Sequence, residues 1–112
     1  MIQAVLDELE QQGWLSDQRF ARSRVRHRLQ AGWGPARIRQ ELEWLGVDRA
    51  WLEQALAEEQ PDWFAQAMAL YQRRFPTPAR DWKERRRRMA FLARRGFDHS
   101  LIRQVMQQAD EQ

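Results

Sequence analysis

The feature that most constrains the fold of this chain is an internal repeat of fifty residues. Residues 42–48 and residues 92–98 share a leucine, a glycine and an aspartate at the same spacing. Sequence repeats of about 20–50 residues are typical of proteins in which each small unit packs on its neighbour. A unit of about 50 residues is only marginally stable alone, so two of them are expected to pack together. The apolar pairs that match at the same offset are Trp51 and Leu101, Leu52 and Ile102, Ala55 and Val105, and Leu56 and Met106.

A glycine lies at the end of the predicted helix in both copies. Gly46 and Gly96 are suited to the left-handed conformation that ends a helix. The apolar residue after each glycine is expected to pack on the leucine that lies four residues before the glycine. Asp48 and Asp98 follow within two residues and are expected to cap the next helix. A partial third copy spans residues 9–14 and contains Gly13. These spacings predict tight helix–turn–helix connections.

Apolar residues recur three and four positions apart along the whole chain, which predicts helices throughout. Ser16 or Asp17 is expected to cap one of them. Gly34 and Pro35 interrupt the chain, and Pro35 is suited to the first turn of the helix that follows. The predicted fold is therefore all-α, an elongated and curved array of tandem three-helix repeats. Its expected parts are a terminal helix at residues 1–15, left from a preceding repeat, and three-helix repeats at residues 16–59 and 60–112.

The residue inventory argues against an enzyme. The chain contains no cysteine, and its two histidines, His27 and His99, lie in different repeats and outside any metal-ligand spacing. Its five glycines form no loop that could hold a phosphate. We therefore expect no catalytic residue, no metal and no cofactor. Because no apolar run approaches the roughly 20 residues of a membrane span, a cytoplasmic protein without a membrane partner is expected.

Charge is arranged in three blocks. Residues 17–39 contain seven arginines and one acid, residues 40–62 contain seven acids and one arginine, and residues 73–95 contain nine arginines, one lysine and two acids. Such blocks favour a polyanionic partner or a protein surface with patterned charge. The alternative is that the excess of arginine is a solvated surface without a partner.

Arg28 and Glu41 lie at positions where apolar residues are expected on the core-facing sides of consecutive helices. We predict an ion pair between them that fixes the register of the two helices, because buried pairs specify geometry more than they add stability. The alternative is that each charged end reaches water separately.

Arg37 and Trp44 are seven residues apart and therefore share one flank of their helix. An exposed tryptophan beside an arginine is typical of an interface anchor. Trp44 could instead cover a neighbouring helix.

Four consecutive arginines at residues 85–88 surround their helix, so at least one of them is expected to point toward the core. At the fifty-residue offset Arg88 corresponds to Ile38. The others are either a solvated face or a surface that grips phosphates or acidic side chains, since the planar guanidinium binds both.

Four segments, residues 17–21, 32–42, 62–63 and 91–97, closely resemble motifs of the RecX regulatory proteins, in the same order along nearly the whole chain. The resemblance implies a tandem three-helix-repeat modulator of RecA. RecX proteins bind in the groove of the RecA filament on single-stranded DNA and typically inhibit it. Members usually have another repeat at the N-terminus, of which only the last helix, residues 2–12, is expected here.

By resemblance, the expected partners are the RecA filament and the single-stranded DNA within it. The chain is expected to bind them as a monomer and to catalyse no reaction itself. Filament growth, ATP hydrolysis, recombination, DNA repair and the coprotease activity of the SOS response would be affected. Weak direct DNA binding would be compatible with this role. The residues expected to contact the partner are Arg22, Arg26, Arg37, Arg39, Trp44 and Arg87, and those with structural roles are Gly13, Gly34, Pro35, Gly46, Gly96, Arg28 and Glu41.

Two other functions remain open. Residues 35–45 and 48–58 could form a DNA-binding helix-turn-helix, although Glu53, Glu58 and Glu59 on its second helix would face phosphates unfavourably. The chain could also be a scaffold for another protein, as helical repeats often are.

Overall fold

A computed structural model describes residues 14–111 and the side chains of residues 17–111, and this part of the chain contains six helices and no strand. The molecule is elongated, with principal extents of 55 × 26 × 19 Å. The predicted all-α class is confirmed. Most of the expected terminal helix, with Gly13, lies outside the described residues. The helices are α1 (Trp14–Gln30), α2 (Pro35–Trp44), α3 (Arg49–Glu59), α4 (Trp63–Arg74), α5 (Trp82–Arg94) and α6 (His99–Asp110).

The helices form two bundles, each with its own core. Helices α1, α2 and α3 bury one apolar cluster, and helices α4, α5 and α6 bury a second. Trp63 packs against both clusters. The tandem three-helix arrangement predicted from the repeat is confirmed. The first core contains Ala21, Val25, Ile38, Leu42, Leu52, Ala55 and Leu56, and the second contains Ala67, Leu70, Tyr71, Leu92, Phe97, Ile102, Val105 and Met106.

Both helix–turn–helix connections end their first helix in the same way. Gly46 and Gly96 have φ angles of 82° and 98°, the left-handed conformation in which glycine has no steric cost. The amide of Val47 donates to the carbonyl of Leu42 at 2.9 Å, and that of Phe97 to Leu92 at 3.3 Å. These are Schellman bonds, and they bring the apolar residue after each glycine onto its predicted leucine.

One predicted helix start differs from the structure. Helix α1 includes residues 14–17, so neither Ser16 nor Asp17 is its N-cap. Asp48 caps α3 through its carboxylate, which accepts from the Ala50 amide at 2.8 Å. Asp98 holds the same position before α6, but its side chain makes no capping bond. The position of each aspartate in the sequence was enough to predict that it precedes a helix. The capping hydrogen bond also requires a suitable side-chain rotamer.

The two repeats meet at a close backbone contact. The amide of Gly34, just before α2, donates to the Arg95 carbonyl at 2.6 Å, and the Ala36 amide donates to the Gly96 carbonyl at 3.1 Å. A Cβ atom at Gly34 would lie 2.5 Å from the Gly96 carbonyl, and one at Gly96 would lie 2.5 Å from the Arg37 amide. Both positions therefore require glycine for this approach. Pro35 occupies the first turn of α2, as expected.

Candidate functional site

The first two charge blocks neutralise each other inside the first repeat. Arginines of α1 and α2 form ion pairs with glutamates of α3, and the partners are 14 to 36 residues apart in sequence. The pairs are Arg22 with Glu58 (2.9 Å), Arg26 with Glu59 (2.9 Å) and Arg39 with Glu53 (2.8 Å). Arg22, Arg26 and Arg39 are three of the predicted partner-binding residues. Their contact with a partner stays a prediction, and it would have to compete with these pairs.

Hydrogen bonds in two of these pairs favour the ionised form of the glutamate. The bond from Arg39 lowers the pKa of Glu53, and the bond from Arg22 lowers the pKa of Glu58. The α3 helix of the suggested helix-turn-helix therefore presents glutamates that are already paired within the repeat.

The structure brings Arg28 and Glu41 together. The Arg28 Nη2 atom lies 2.8 Å from Glu41 Oε2, and Arg24 approaches the same carboxylate at 3.3 Å. The Arg28 and Arg37 guanidinium groups lie over the Trp33 ring, at 4.1 and 4.3 Å from its centroid. The half-buried pair joins α1 to α2, and the stacked Trp33 ring lies between the two helices.

Arg37 and Trp44 have different surroundings. Arg37 Nη1 donates to the carbonyl of Arg94 at 3.0 Å, so this exposed side chain lies at the junction of the repeats. Trp44 is 83% exposed at the end of α2 and does not cover a neighbouring helix in the described part of the chain.

Most basic side chains of the third charge block form no ion pair within residues 17–111, and this block forms the candidate site. Basic side chains line a groove of about 450 Å³ between α4 and α5 and continue onto the outer side of α5. Phe75, Ala90 and Phe91 form the apolar part of the groove. We call this surface the cationic face; it consists of Arg74, Arg80, Lys83, Arg86, Arg87 and Arg94.

Helical spacing explains how α5 presents this face. Lys83, Arg87 and Arg94 lie four and seven residues apart, and side chains at this spacing share one side of a helix. From Lys83 to Arg94 the helix rises about 16 Å. Arg86 lies 5.5 Å from the ring of Trp82, which is 60% exposed. The face therefore combines a row of charges with an exposed aromatic ring.

Arg74 and Arg80 complete the groove from its other side. The Arg74 guanidinium lies 5.7 Å from the ring centroids of both Phe75 and Phe91, a cation–π geometry. Arg80 is 87% exposed and lies 3.2 Å from Glu84, and this bond lowers the pKa of Glu84. Ionised Glu84 offsets only part of the positive charge.

Arg88 lies beneath the face and is 4% exposed. Its guanidinium donates to the Tyr71 hydroxyl at 2.9 Å, the Thr77 carbonyl at 2.8 Å and Glu84 at 2.6 Å. The Tyr71 hydroxyl in turn donates to Asp110 at 2.9 Å. Burial alone would lower the pKa of Arg88, but the bonds to Tyr71 and Glu84 raise it. One buried cation thus ties α4, α5 and α6 together, and it is the inward-pointing arginine expected from residues 85–88.

The chemistry of the cationic face is that of anion binding. Guanidinium groups bind phosphates and carboxylates through charge-assisted hydrogen bonds, and the neighbouring rings can stack on planar groups. Across residues 14–111 no group of histidines and acids has the geometry of a metal site. None of the helices in that range is both long and apolar enough to cross a bilayer.

Of the predicted partner-binding residues, only Arg87 belongs to the cationic face. Arg74, Arg80, Lys83 and Arg94 were not predicted, and Arg86 was considered only as part of the arginine run at residues 85–88. The spacing of Lys83, Arg87 and Arg94 was a signal that could have identified the row on α5. Arg74 lies on α4 and comes close to this row only because α4 packs on α5. A helical wheel of one helix cannot predict that packing.

Two packed three-helix units, each with its own apolar core, define a tandem helical-repeat protein. Residues 16–56 match the family model of the second three-helix domain of RecX, and residues 60–106 match that of the third. The chain belongs to the RecX family.

Its relatives carry the name of a regulatory protein. It is 44% identical over 110 residues to the regulatory protein RecX of Chromohalobacter salexigens and 39% identical over 111 residues to that of Pseudomonas entomophila, covering 98% of this chain and 72% of each relative. The RecX of Halorhodospira halophila is 41% identical over 112 residues, which cover 69% of that relative.

Proposed function

We propose that this chain binds the RecA filament on single-stranded DNA and modulates it, typically by inhibition. The affected activities would be filament assembly, ATP hydrolysis, strand exchange and coprotease action. Membership of the RecX family, through two successive three-helix domains over most of the chain, is the observation that carries the proposal.

The charge distribution supports a specific mode of binding. Five arginines of α1 and α2 form ion pairs with glutamates of α2 or α3. In the cationic face only Arg80 is paired within residues 17–111, so this face is the surface proposed for acidic RecA side chains or DNA phosphates in the filament groove. The elongated body, 55 Å in its longest dimension, suits contact with more than one neighbouring protomer. Bridging protomers, or blocking addition at a filament end, would inhibit without any covalent chemistry.

A titration into RecA on single-stranded DNA tests the proposal. We expect excess chain to change the DNA-dependent ATPase rate and the fluorescence-monitored rate of filament assembly, with a decrease in the inhibitory case. If neither rate changed at a large molar excess, the proposal would fail.

A parallel measurement separates the proposal from direct DNA binding. Anisotropy of labelled single- and double-stranded DNA, without RecA, would be recorded over a range of salt concentrations. Tight duplex binding with a steep salt dependence would favour a DNA-binding protein, because phosphate contacts release counterions. We expect the chain to bind DNA weakly without RecA and to bind more tightly when the RecA filament is present on the DNA.

A further inference from the structure

The groove between α4 and α5 gathers positive charge around a volume of about 450 Å³. Its charged lining consists of five arginines and one glutamate: Arg74, Arg80, Arg87, Arg88, Arg94 and Glu84. Glu84 is already engaged by Arg80 at 3.2 Å and by Arg88 at 2.6 Å. Arg74, Arg87 and Arg94 form no ion pair within residues 17–111. The described residues therefore leave an excess of positive charge around this groove.

Three separate elements supply the arginines of the groove. Arg74 is the last residue of α4, Arg80 lies on the connection that follows, and Arg87 and Arg94 lie on α5. Because Arg87 and Arg94 are seven residues apart, their side chains share one side of the helix and are separated by about 10 Å along its axis. Like charges around one small cavity repel each other, and an anion between them offsets that repulsion. The arrangement favours a ligand with several negative charges.

The base of the groove is held in place by the protein itself. Arg88 is 4% exposed, and three hydrogen bonds fix its guanidinium group. The half-buried rings of Phe75 and Phe91 lie beside it, with centroids 5.5 Å apart and planes at 88°. A site whose groups are already ordered loses less entropy when it binds a ligand.

The density of charge distinguishes among the anions that guanidinium groups bind. A carboxylate brings a single charge, and a DNA strand brings one charge per nucleotide. A polyphosphate chain instead has a charge on each of several adjacent phosphates, and guanidinium forks bind phosphate oxygens through paired hydrogen bonds. Phe75 and Phe91 add an apolar surface against which a planar base can pack. A nucleoside triphosphate combines both kinds of group.

We propose that this groove binds the polyphosphate chain of a nucleoside triphosphate. Arg74, Arg87 and Arg94 donate to the phosphates, and the base packs against the apolar part of the groove. Lys83 and Arg86, on the outer side of α5, lie outside this site and stay available to the filament. The site requires neither RecA nor DNA.

Isothermal titration calorimetry of the whole chain tests the proposal with ATP, AMP, sodium tripolyphosphate and a thymidine tetranucleotide without terminal phosphates. ATP and the tetranucleotide have equal numbers of phosphates, which are adjacent in ATP and separated by nucleosides in the tetranucleotide. We expect ATP to bind at least tenfold more tightly than AMP or the tetranucleotide. Tripolyphosphate that binds as tightly as ATP would assign recognition to the phosphate chain alone, and weaker binding would assign part of it to the base.

Two double variants with the same change in net charge locate the site. Arg74→Gln with Arg94→Gln removes two arginines from the groove and should weaken ATP binding at least tenfold. Lys83→Gln with Arg86→Gln removes two charges from the outer side of α5 and should bind ATP like the unmodified chain. Arg80→Gln changes a side chain that is 87% exposed, so it probes the groove without disturbing the core, and it should weaken ATP binding several-fold.

AMP or the tetranucleotide binding as tightly as ATP would overturn the proposal, because adjacent phosphates would then not be recognised. Equal losses in the two double variants, or no detectable binding at millimolar ATP, would overturn it as well. None of these measurements contains RecA, so their outcome is separate from that of the RecA titration.

Discussion

Arg88 shows how a single residue can change the inside of a repeat. It lies where the first repeat has Ile38, and both side chains are buried. Ile38 packs in an apolar core, whereas Arg88 bonds to Tyr71 and Glu84, and Tyr71 bonds to Asp110. The second repeat therefore contains a polar network at a position where the first is apolar.

Replacing this cation should destabilise the protein strongly. We expect Arg88→Ala to lower the free energy of unfolding by about 3 kcal/mol, because Glu84 and the Tyr71–Asp110 pair lose their shared donor. Arg87→Ala, which removes the exposed neighbouring arginine, should cost less than about 0.5 kcal/mol. Urea unfolding followed by circular dichroism measures both variants, and equal stability of the two would show that the network does not stabilise the fold.

At the same scale, the side-chain contact that could be predicted from the sequence is one between consecutive helices. A helical wheel brings Arg28 and Glu41 to facing sides of consecutive helices, and the structure joins them at 2.8 Å. It could not anticipate the pairing of Arg22 with Glu58, 36 residues away. That contact depends on how α1 crosses α3, which is decided by packing rather than by either helix alone.

At the scale of helices and turns, the predicted glycine-ended connections and the apolar register were correct because both depend on local spacing. The start of α1 was not, since Ser16 and Asp17 have the composition of a cap but lie inside the helix. From the sequence, Gly34 was predicted only to interrupt the chain between two helices. Its close contact with Gly96, 62 residues along the chain, required the packed structure.

Alanine at Gly34 tests that contact without backbone strain. Gly34 has a φ of −86°, which any residue adopts, so the cost of Gly34→Ala comes from the Cβ atom that would lie 2.5 Å from Gly96. We expect a loss of about 2 kcal/mol, from forced separation of the repeats. Gly46→Ala is the matched comparison, with open space but a positive φ, and should cost about 1 kcal/mol. A smaller loss for Gly34→Ala than for Gly46→Ala, measured by urea unfolding, would contradict the tight junction.

The arginine–glutamate pairs predict a fold that is sensitive to acid. Bonds from Arg39, Arg22 and Arg80 lower the pKa values of Glu53, Glu58 and Glu84 from 4.5. A carboxylate whose pKa is lowered by folding stabilises the protein above its unfolded pKa, and this stability is lost as the pH falls through the folded value. We therefore expect the melting temperature to fall as the pH decreases below about 4.5.

Comparing two variants tests whether the ion pairs of α3 cause this loss of stability at low pH. Glu53→Gln with Glu58→Gln should reduce the difference in melting temperature between pH 7 and pH 3, because two of the titrating groups are gone. Glu43→Gln, at an exposed position of α2, should keep the difference of the unmodified chain. The explanation would be wrong if the double variant lost as much stability on acidification as the unmodified chain.

At the scale of the whole molecule, the three charge blocks have different fates. The basic block of α1 and α2 packs against acidic α3, and the basic block of the second repeat has few acids near it. The sequence predicted a surface for a polyanion or a charged protein, and it spread the candidate arginines over both repeats. The packing of the helices decides which arginines form ion pairs and which do not. For this reason the proposed site lies on α5 and is not spread over both repeats.

Charge reversal on that helix should weaken the effect on RecA. We expect Arg87→Glu with Arg94→Glu to raise at least tenfold the chain concentration needed to change the ATPase rate on single-stranded DNA. Arg49→Glu with Arg103→Glu makes the same change in net charge at exposed positions on α3 and α6, and should act like the unmodified chain. Equal effects of the two double variants would mean that net charge, and not the cationic face, determines the interaction.

Density for a RecA filament on single-stranded DNA, decorated with this chain, would show where the chain binds. We expect an elongated density of two three-helix bodies in the filament groove, with the α5 side of the second body against RecA or the DNA backbone. A filament whose groove stays empty at saturating chain, or a bound chain whose α5 side faces solvent, would contradict this expectation.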